Sequence, residues 1–366
     1  MSARPIRLLA LTPHPMEGPG TRYRVLQYLP YLAQHGFHCE HQPFFDSAEY
    51  GILYRPGHWL RKARAVLAGT LRRIRALRRL REFDVVLVYL WLHPIWFPVL
   101  DFMLARSGIP VVFDLDDPIY FPQGSIADRL RDREWIIRLL RMARAVIAGS
   151  EPIAAFARQF NNAVEVIPTA IDTERFTPRP HPDGSGGRPV VGWVGTHSTS
   201  RFLLPLIPVL RALAREEDFT LRLVGARGGG VPLDGIPVEH LDWTLAHEVQ
   251  HFRDLDIGLY PLTEDVASAG TKLGFKLHQY MAVGVPAVAS AVGLTPSLVR
   301  DGETALLASN PEEWHASLRR LLRDPSLRRR IGQEGRAEVE ASWSLRAHAP
   351  RLAEILRHAA ASRGIS

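Results

Sequence analysis

Three carboxylates crowd one short stretch, Asp114-Leu115-Asp116-Asp117, directly after the apolar run Val111-Val112-Phe113. Like charges at a strand end cost energy unless they are paired or used, so such a cluster marks a candidate site. These groups could bind a metal ion, accept hydrogen bonds from a substrate hydroxyl or pair with arginines; a helix cap is the plain alternative. A second candidate occupies residues 256–290. An apolar run at 257–260 leads into a small-residue loop containing Ser268, Ala269, Gly270 and Thr271. A helical stretch follows and stops near Gly284-Val285-Pro286, and a further apolar run spans 287–289. Strand, loop, helix, strand in that order leaves backbone N–H groups without partners at a helix N-terminus, a site for an anion such as a diphosphate. Lys272 and Lys276 flank the loop. The alternatives are solvated surface charges and an ordinary flexible loop.

Smaller signals accompany these. Gly18-Pro19-Gly20 follows the apolar run 7–12 and precedes Arg22 and Arg24, which could contact phosphate or acceptor. His93 sits among Trp91, Leu92, Pro94, Ile95 and Trp96, where it would line a pocket or be a packed core histidine. Ser150 before Glu151 reads as a helix N-cap.

These groups need a scaffold, and the pattern supplies one. Short apolar runs at 7–12, 38–43, 85–90, 111–115 and 145–148 alternate with helical patterns at 24–35, 59–81 and 135–143. A Pro-, Gly- and His-rich stretch, 177–189, then breaks the chain. A second series has strands at 190–194, 220–224, 238–241, 257–260 and 287–289, with helices at 202–215, 245–252, 314–322, 326–341 and 348–362. The fold class expected is α/β: two doubly wound, Rossmann-like domains facing each other across a cleft, with ligands at the carboxyl ends of the strands. The N-terminal domain is expected over 1–172, the linker over 173–189 and the C-terminal domain over 190–345. The last helix, 346–366, is expected to pack back on the first domain.

The run 61–81, RKARAVLAGTLRRIRALRRLR, carries Val66, Leu67, Leu71, Ile74, Leu77 and Leu80 at helical spacing between arginines. A basic amphipathic helix of this kind can lie on an anionic membrane surface, or pack on the sheet and leave its charges in water. Arg72, Arg73, Arg78 and Arg79 are the cations expected to meet lipid. Nothing resembling a nucleic-acid module accompanies the charge.

The 366 residues suffice for two domains with a core each. A formal charge of +7 with 46% hydrophobic residues fits a globular protein. One cysteine, Cys39, excludes an internal disulfide framework and points to a reducing compartment. The apolar run at 8–11 is too short for a signal-peptide core. No stretch reaches the roughly 20 apolar residues of a membrane span. A cytoplasmic protein, peripheral on the inner face of the membrane at most, is expected.

With these motifs placed, the chain resembles the GT-B glycosyltransferases of retaining family 4. The likeness rests on Val166-Ile167-Pro168-Thr169-Ala170-Ile171-Asp172-Thr173-Glu174-Arg175-Phe176, on Val191-Gly192-Trp193-Val194-Gly195, on residues 274–290 and on 299–307. The family has two glutamates eight residues apart, where this chain has Thr271 and Gln279; a branch with a GxKLxQYMAxG form fits it better. The resemblance implies a nucleotide-sugar donor, an acceptor hydroxyl of unknown identity (lipid-linked, glycan or small molecule), no cofactor and no catalytic metal. It implies that Arg201 and Lys276 stabilise the leaving diphosphate. Gly18, Gly20, Gly195, Thr196, Ser268, Ala269, Gly270, Thr271 and Lys272 would surround that diphosphate. Gln279 and Trp243 would face the nucleoside. Arg22, Arg24, His93 and Asp114 would lie on the acceptor side, with Asp116 and Asp117 binding acceptor or sugar at the reaction centre. An epimerase or hydrolase of the same fold, or a catalytically degenerate nucleotide-binding homologue, is the alternative.

Overall fold

A computed structural model describes residues 4–53, 55–95, 97–120, 133–179, 187–225, 231–263 and 274–363, with the side chains of 133, 197 and 198 left out. The chain divides into two compact units, Met1–Ala170 with His348–Ser366, and Ile171–Ala347.

The first unit is built on a six-stranded parallel sheet in the order β2-β1-β3-β4-β5-β6. Its strands are β1 Ile6–Thr12, β2 Phe37–Pro43, β3 Val85–Tyr89, β4 Val111–Leu115, β5 Ala145–Ala148 and β6 Val164–Val166. The β-branched runs of β3 and β4 are buried along their whole length, as strands covered on both faces must be. Leu9, Leu11, Val86, Val88 and Phe113 form the centre of one core. The C-terminal stretch from His348 is tied to this unit: Arg351 pairs with Glu165 at 2.6 Å, and Arg363 donates to the Phe83 carbonyl at 2.6 Å.

The second unit repeats the plan with β7 Val190–Val194, β8 Thr220–Val224, β9 Val238–Leu241, β10 Ile257–Tyr260, β11 Ala287–Ser290 and β12 Leu306–Ala308. Their order is β12-β11-β10-β7-β8-β9, all parallel. Val191, Leu221, Leu223, Ile257 and Val288 centre its separate core.

The strand orders decide where chemistry can occur. In the first sheet the winding reverses between β1 and β3, and in the second between β7 and β10. Connections leave opposite faces at such a switch point, and a crevice opens at the carboxyl ends of the two strands.

The prolines redraw several expected helices. The one expected over 24–35 is three pieces: Pro19–Arg24, a 3-10 turn Leu26–Tyr28, and Leu29–Gln34. Pro30 lacks the N–H that would continue the first helix and instead starts a new one. The helix expected over 202–215 is likewise a 3-10 stretch His197–Leu206 followed by Ile207–Glu216. Strands β6 and β12, three residues each, were too short to stand out as apolar runs.

The helix Trp59–Arg78 corrects the sequence reading of its arginines. Arg73 is fully buried and donates to the carbonyls of Thr12, Gln42 and Leu92. Burial, with Arg72 beside it, pulls its pKa down to about 9. Arg72 donates to Phe44 and pairs with Glu49, and Arg79 pairs with Glu40 and Glu82. Arg73 is thereby spent on the domain's interior, while Arg72 and Arg79 are engaged in ion pairs nearer the surface. Leu67 and Leu71, two members of the apolar stripe, are exposed.

Candidate functional site

In the first unit the switch-point crevice lies between the ends of β1 and β3. The chain leaving β1 makes a tight loop in which Gly18 N–H donates to the Pro15 carbonyl at 3.0 Å. Gly18 then caps the helix Pro19–Arg24 with no side-chain bond. Gly20 is required by contact. A Cβ there would lie 2.3 Å from the Tyr89 hydroxyl. That hydroxyl donates to Asp116 Oδ1 at 2.9 Å. Just past Tyr89, Leu90 adopts a left-handed conformation with φ of 59°, a backbone rarely held by a side-chain-bearing residue.

The three carboxylates have separate fates. Asp114 pairs with Arg24 at 2.7 Å, with side chains 3% and 1% exposed. Arg24 also donates to the Ile167 carbonyl at 2.7 Å. Burial opposes the Arg24 charge, but Asp114 and Asp116 outweigh it and hold its pKa above the ordinary value. Burial likewise raises the Asp114 carboxyl, against the pull of Arg24. The sequence placed both groups on the acceptor side; the structure makes them a buried, hydrogen-bonded ion pair. Asp116 is partly buried and Asp117 exposed. Burial and Asp117 push Asp116 up to about 7, while Arg24 and the Tyr89 hydrogen bond hold it back.

Two more expected acceptor-side residues are spent on structure. Arg22 is buried and donates to the Met16 carbonyl at 2.9 Å, tying down the glycine loop. His93 is buried and engages Thr70 Oγ1 at 2.9 Å and the Ile95 carbonyl at 2.8 Å through its two ring nitrogens, so it is a packed histidine. Burial lowers its pKa. Ser150 precedes the helix Glu151–Ala157 but makes no cap bond.

The glycine loop holds what composition did not suggest. Among the described residues, His14 Nδ1, Glu17 Oε2 and Thr21 Oγ1 are buried atoms with no hydrogen-bond partner. Buried polar groups in native proteins are nearly always satisfied, so three orphans on the loop and first helix after β1 mark a candidate place for a polar ligand. Burial pulls His14 down to about 4. Tyr89 and His14 were missed in the sequence; the usable signal was their position, one at the end of β3 and one just past β1.

In the second unit the crevice lies between β7 and β10. Gly195 follows β7 where a Cβ would strike the Trp193 ring at 2.0 Å. Thr196 caps the stretch His197–Leu206 in a capping box with Thr199, Thr196 N–H donating to Thr199 Oγ1 at 3.0 Å. Arg201, on the same stretch, is exposed, its guanidinium 5.2 Å from the Phe202 ring centre. The helix Phe275–Ala282 is clamped to both strands by Tyr280. Its hydroxyl accepts from Val194 N–H at 3.1 Å and donates to the Leu259 carbonyl at 3.3 Å. One turn earlier, Lys276 Nζ stands 5.4 Å from the Trp193 ring centre. Gln279 is buried, and Trp243 is half-exposed with its Cβ beside Gly225. Ser268, Ala269, Gly270, Thr271 and Lys272 lie outside the described residues. Thus Gly195 and Lys276 both meet Trp193, a residue valued in the sequence only as part of a strand. Among the described residues, no group of three or more His, Cys, Asp or Glu is placed to hold a metal ion.

Comparison with known proteins follows this division. Residues 21–175 match the family Glycosyltransferase Family 4, and residues 207–355 match a family described as glycosyl transferase-like. A GDP-mannose-dependent alpha-(1-6)-phosphatidylinositol monomannoside mannosyltransferase of Mycolicibacterium smegmatis is 29% identical over 219 residues, 53% of this chain and 56% of the relative. The MMP alpha-(1->4)-mannosyltransferase of Mycolicibacterium hassiacum is 27% identical over 54% of this chain and 49% of its own length. The chain therefore spans about half the length of the curated relatives it matches. Solved structures share the fold, and two of them serve as examples. Sucrose-phosphate synthase from Thermosynechococcus elongatus gives a TM-score of 0.66 at 20% identity, covering 98% of this chain and 100% of that one. Anabaena HepE, in complex with UDP and glucose, gives 0.66 at 18% identity, covering 96% and 100%. The fold is GT-B.

Proposed function

We propose that this chain, a GT-B protein of glycosyltransferase family 4, moves a sugar from a nucleoside diphosphate sugar to an acceptor hydroxyl, with retention and without a metal ion. The observation that carries the reading is Lys276 held over Trp193, which puts a cation beside the Gly195–Thr196 turn at the β7–β10 switch point. A leaving diphosphate gains negative charge as the glycosidic bond breaks, and fixed cations and N–H groups aimed at it lower the barrier. Lys276 and Arg201 take that role, joined by Lys272 and the small-residue loop. Trp243 and Gln279 serve the nucleoside.

In the reaction the bond from the anomeric carbon to the diphosphate oxygen breaks. The acceptor oxygen bonds to the same face, and the acceptor proton passes to the departing phosphate. No protein nucleophile is assigned. Asp116, oriented by Tyr89, accepts a hydrogen bond from the acceptor or the sugar, with Asp117 beside it.

The donors and acceptors named for the relatives suggest where to begin: GDP-mannose and UDP-glucose as donors, and a phosphatidylinositol glycolipid among the acceptors. Calorimetry with GDP, UDP and dTDP, followed by turnover of the matching nucleotide sugar against an acceptor panel, tests the proposal. Binding of one diphosphate and acceptor-dependent release of it are expected. No affinity for any of the three would sink the reading, and release that ignores the acceptor would make the protein a hydrolase.

A further inference from the structure

The four most exposed large apolar side chains among the described residues lie on two helices of the first unit. Leu60 is 88% exposed, Trp59 72% and Leu67 62% on the helix Trp59–Arg78, and Phe102 is 62% exposed on the helix Pro98–Arg106. Leu71 and Val99 extend the two rows. The helices are in contact. They connect β2 to β3 and β3 to β4, two crossovers that run the same way across the sheet. Right-handed connections therefore put both helices on one face of it.

The exposed charges carried by these two helices are of one sign. Arg61, Arg64, Arg75 and Arg78 are exposed on the first helix, which contains no acidic residue. The second helix has one, Asp101, and it is buried. Each exposed aromatic also has a cation over its ring. Lys62 Nζ is 5.5 Å from the Trp59 centre and the Arg106 guanidinium 5.4 Å from that of Phe102. Side chains of this kind bury apolar stems and rings while their charged heads stay in water.

We infer that this two-helix face docks on an anionic lipid surface, with Trp59, Leu60, Leu67 and Phe102 entering the headgroup layer and the arginines meeting the lipid phosphates. A second copy of the chain is a poor occupant, because it would set cations against cations. Among the described residues no helix is long and apolar enough to cross a membrane, so the contact of these helices is interfacial.

The test is co-sedimentation of the full chain with vesicles of phosphatidylcholine alone, or of phosphatidylcholine with phosphatidylglycerol, at low and high salt. Binding is expected to the anionic vesicles only, and to fall with salt. Arg61→Gln with Arg64→Gln should weaken it about 30-fold, from about fivefold per cation near the surface. Leu60→Asp and Phe102→Asp should each weaken it by about tenfold or more, with circular dichroism and thermal midpoint unchanged. Failure to sediment with anionic vesicles overturns the proposal. So does undiminished binding of the Leu60→Asp and Phe102→Asp variants, which would reduce the contact to charge alone. A concentration-dependent dimer abolished by Leu60→Asp would give the face to a second copy instead.

Discussion

Tyr89 and Asp116 join the ends of two adjacent strands through a single 2.9 Å hydrogen bond, the phenol donating and the carboxylate accepting. The phenol stands where a side chain at residue 20 would otherwise be, so the glycine loop, β3 and β4 meet at one atom. Most predictions for the first unit follow from that junction.

Asp116 titrates near 7 because burial and Asp117 raise it and Arg24 and Tyr89 restrain it. Removing the phenol in Tyr89→Phe takes away one restraint, so the acid limb of the activity profile should move to higher pH. Asp116→Asn should abolish the limb and lower turnover by about 100-fold. The stability effect has the opposite sense. A carboxyl raised from 3.8 to about 7 destabilises the fold progressively as pH rises through that window. Thermal midpoints of Asp116→Asn should therefore exceed those of the parent at pH 8 and converge with them at pH 4.

Gly20→Ala drives a Cβ into the Tyr89 hydroxyl and should cost about 1–3 kcal/mol in urea unfolding. The double variant Gly20→Ala with Tyr89→Phe removes the atom that clashes first. It should recover part of the loss, a coupling that independent sites would not show.

Breaking the Arg24–Asp114 pair leaves a buried charge without its hydrogen-bonded partner. Arg24→Ala and Asp114→Ala should each cost about 3–5 kcal/mol, and the double variant less than their sum. Guanidinium unfolding of the three proteins checks this.

Lys276→Ala should lower turnover by about 100-fold. In calorimetry it should weaken a nucleoside diphosphate more than the nucleoside. If the lysine served only to pack on Trp193, unfolding would change while nucleotide affinity stayed constant.

His278 is buried against Trp343, ring centres 4.1 Å apart. Burial pulls its pKa down to about 3. The unfolded chain takes up a proton below about 6.5 that the folded chain refuses, so stability falls as pH drops through 6.5 toward 3, by up to about 1.4 kcal/mol per pH unit. His14 and His41, each near 4 through burial, add to the same window. His278→Phe should flatten the acid-side loss in thermal midpoints measured from pH 7 to 5.

Alternating apolar runs and glycine-bearing loops made the two parallel sheets legible in the sequence. Strand patterning is local, and burial on both faces leaves continuous runs such as those of β3 and β4. The cations near the second crevice could also be found, because a strand–loop–helix order puts its loop at a predictable end of the sheet. Tertiary structure alone decided which polar groups face a ligand and which face each other. Arg24 and Asp114 are 90 positions apart, and Arg73 finds its acceptors on three other segments. A charge looks the same in a sequence whether its partner is a substrate or a distant carbonyl. Only the packing that brings those segments within hydrogen-bond distance removes Arg24, Asp114 and His93 from the acceptor side, leaves Asp116 under Tyr89, and turns Leu60 and Phe102 outward.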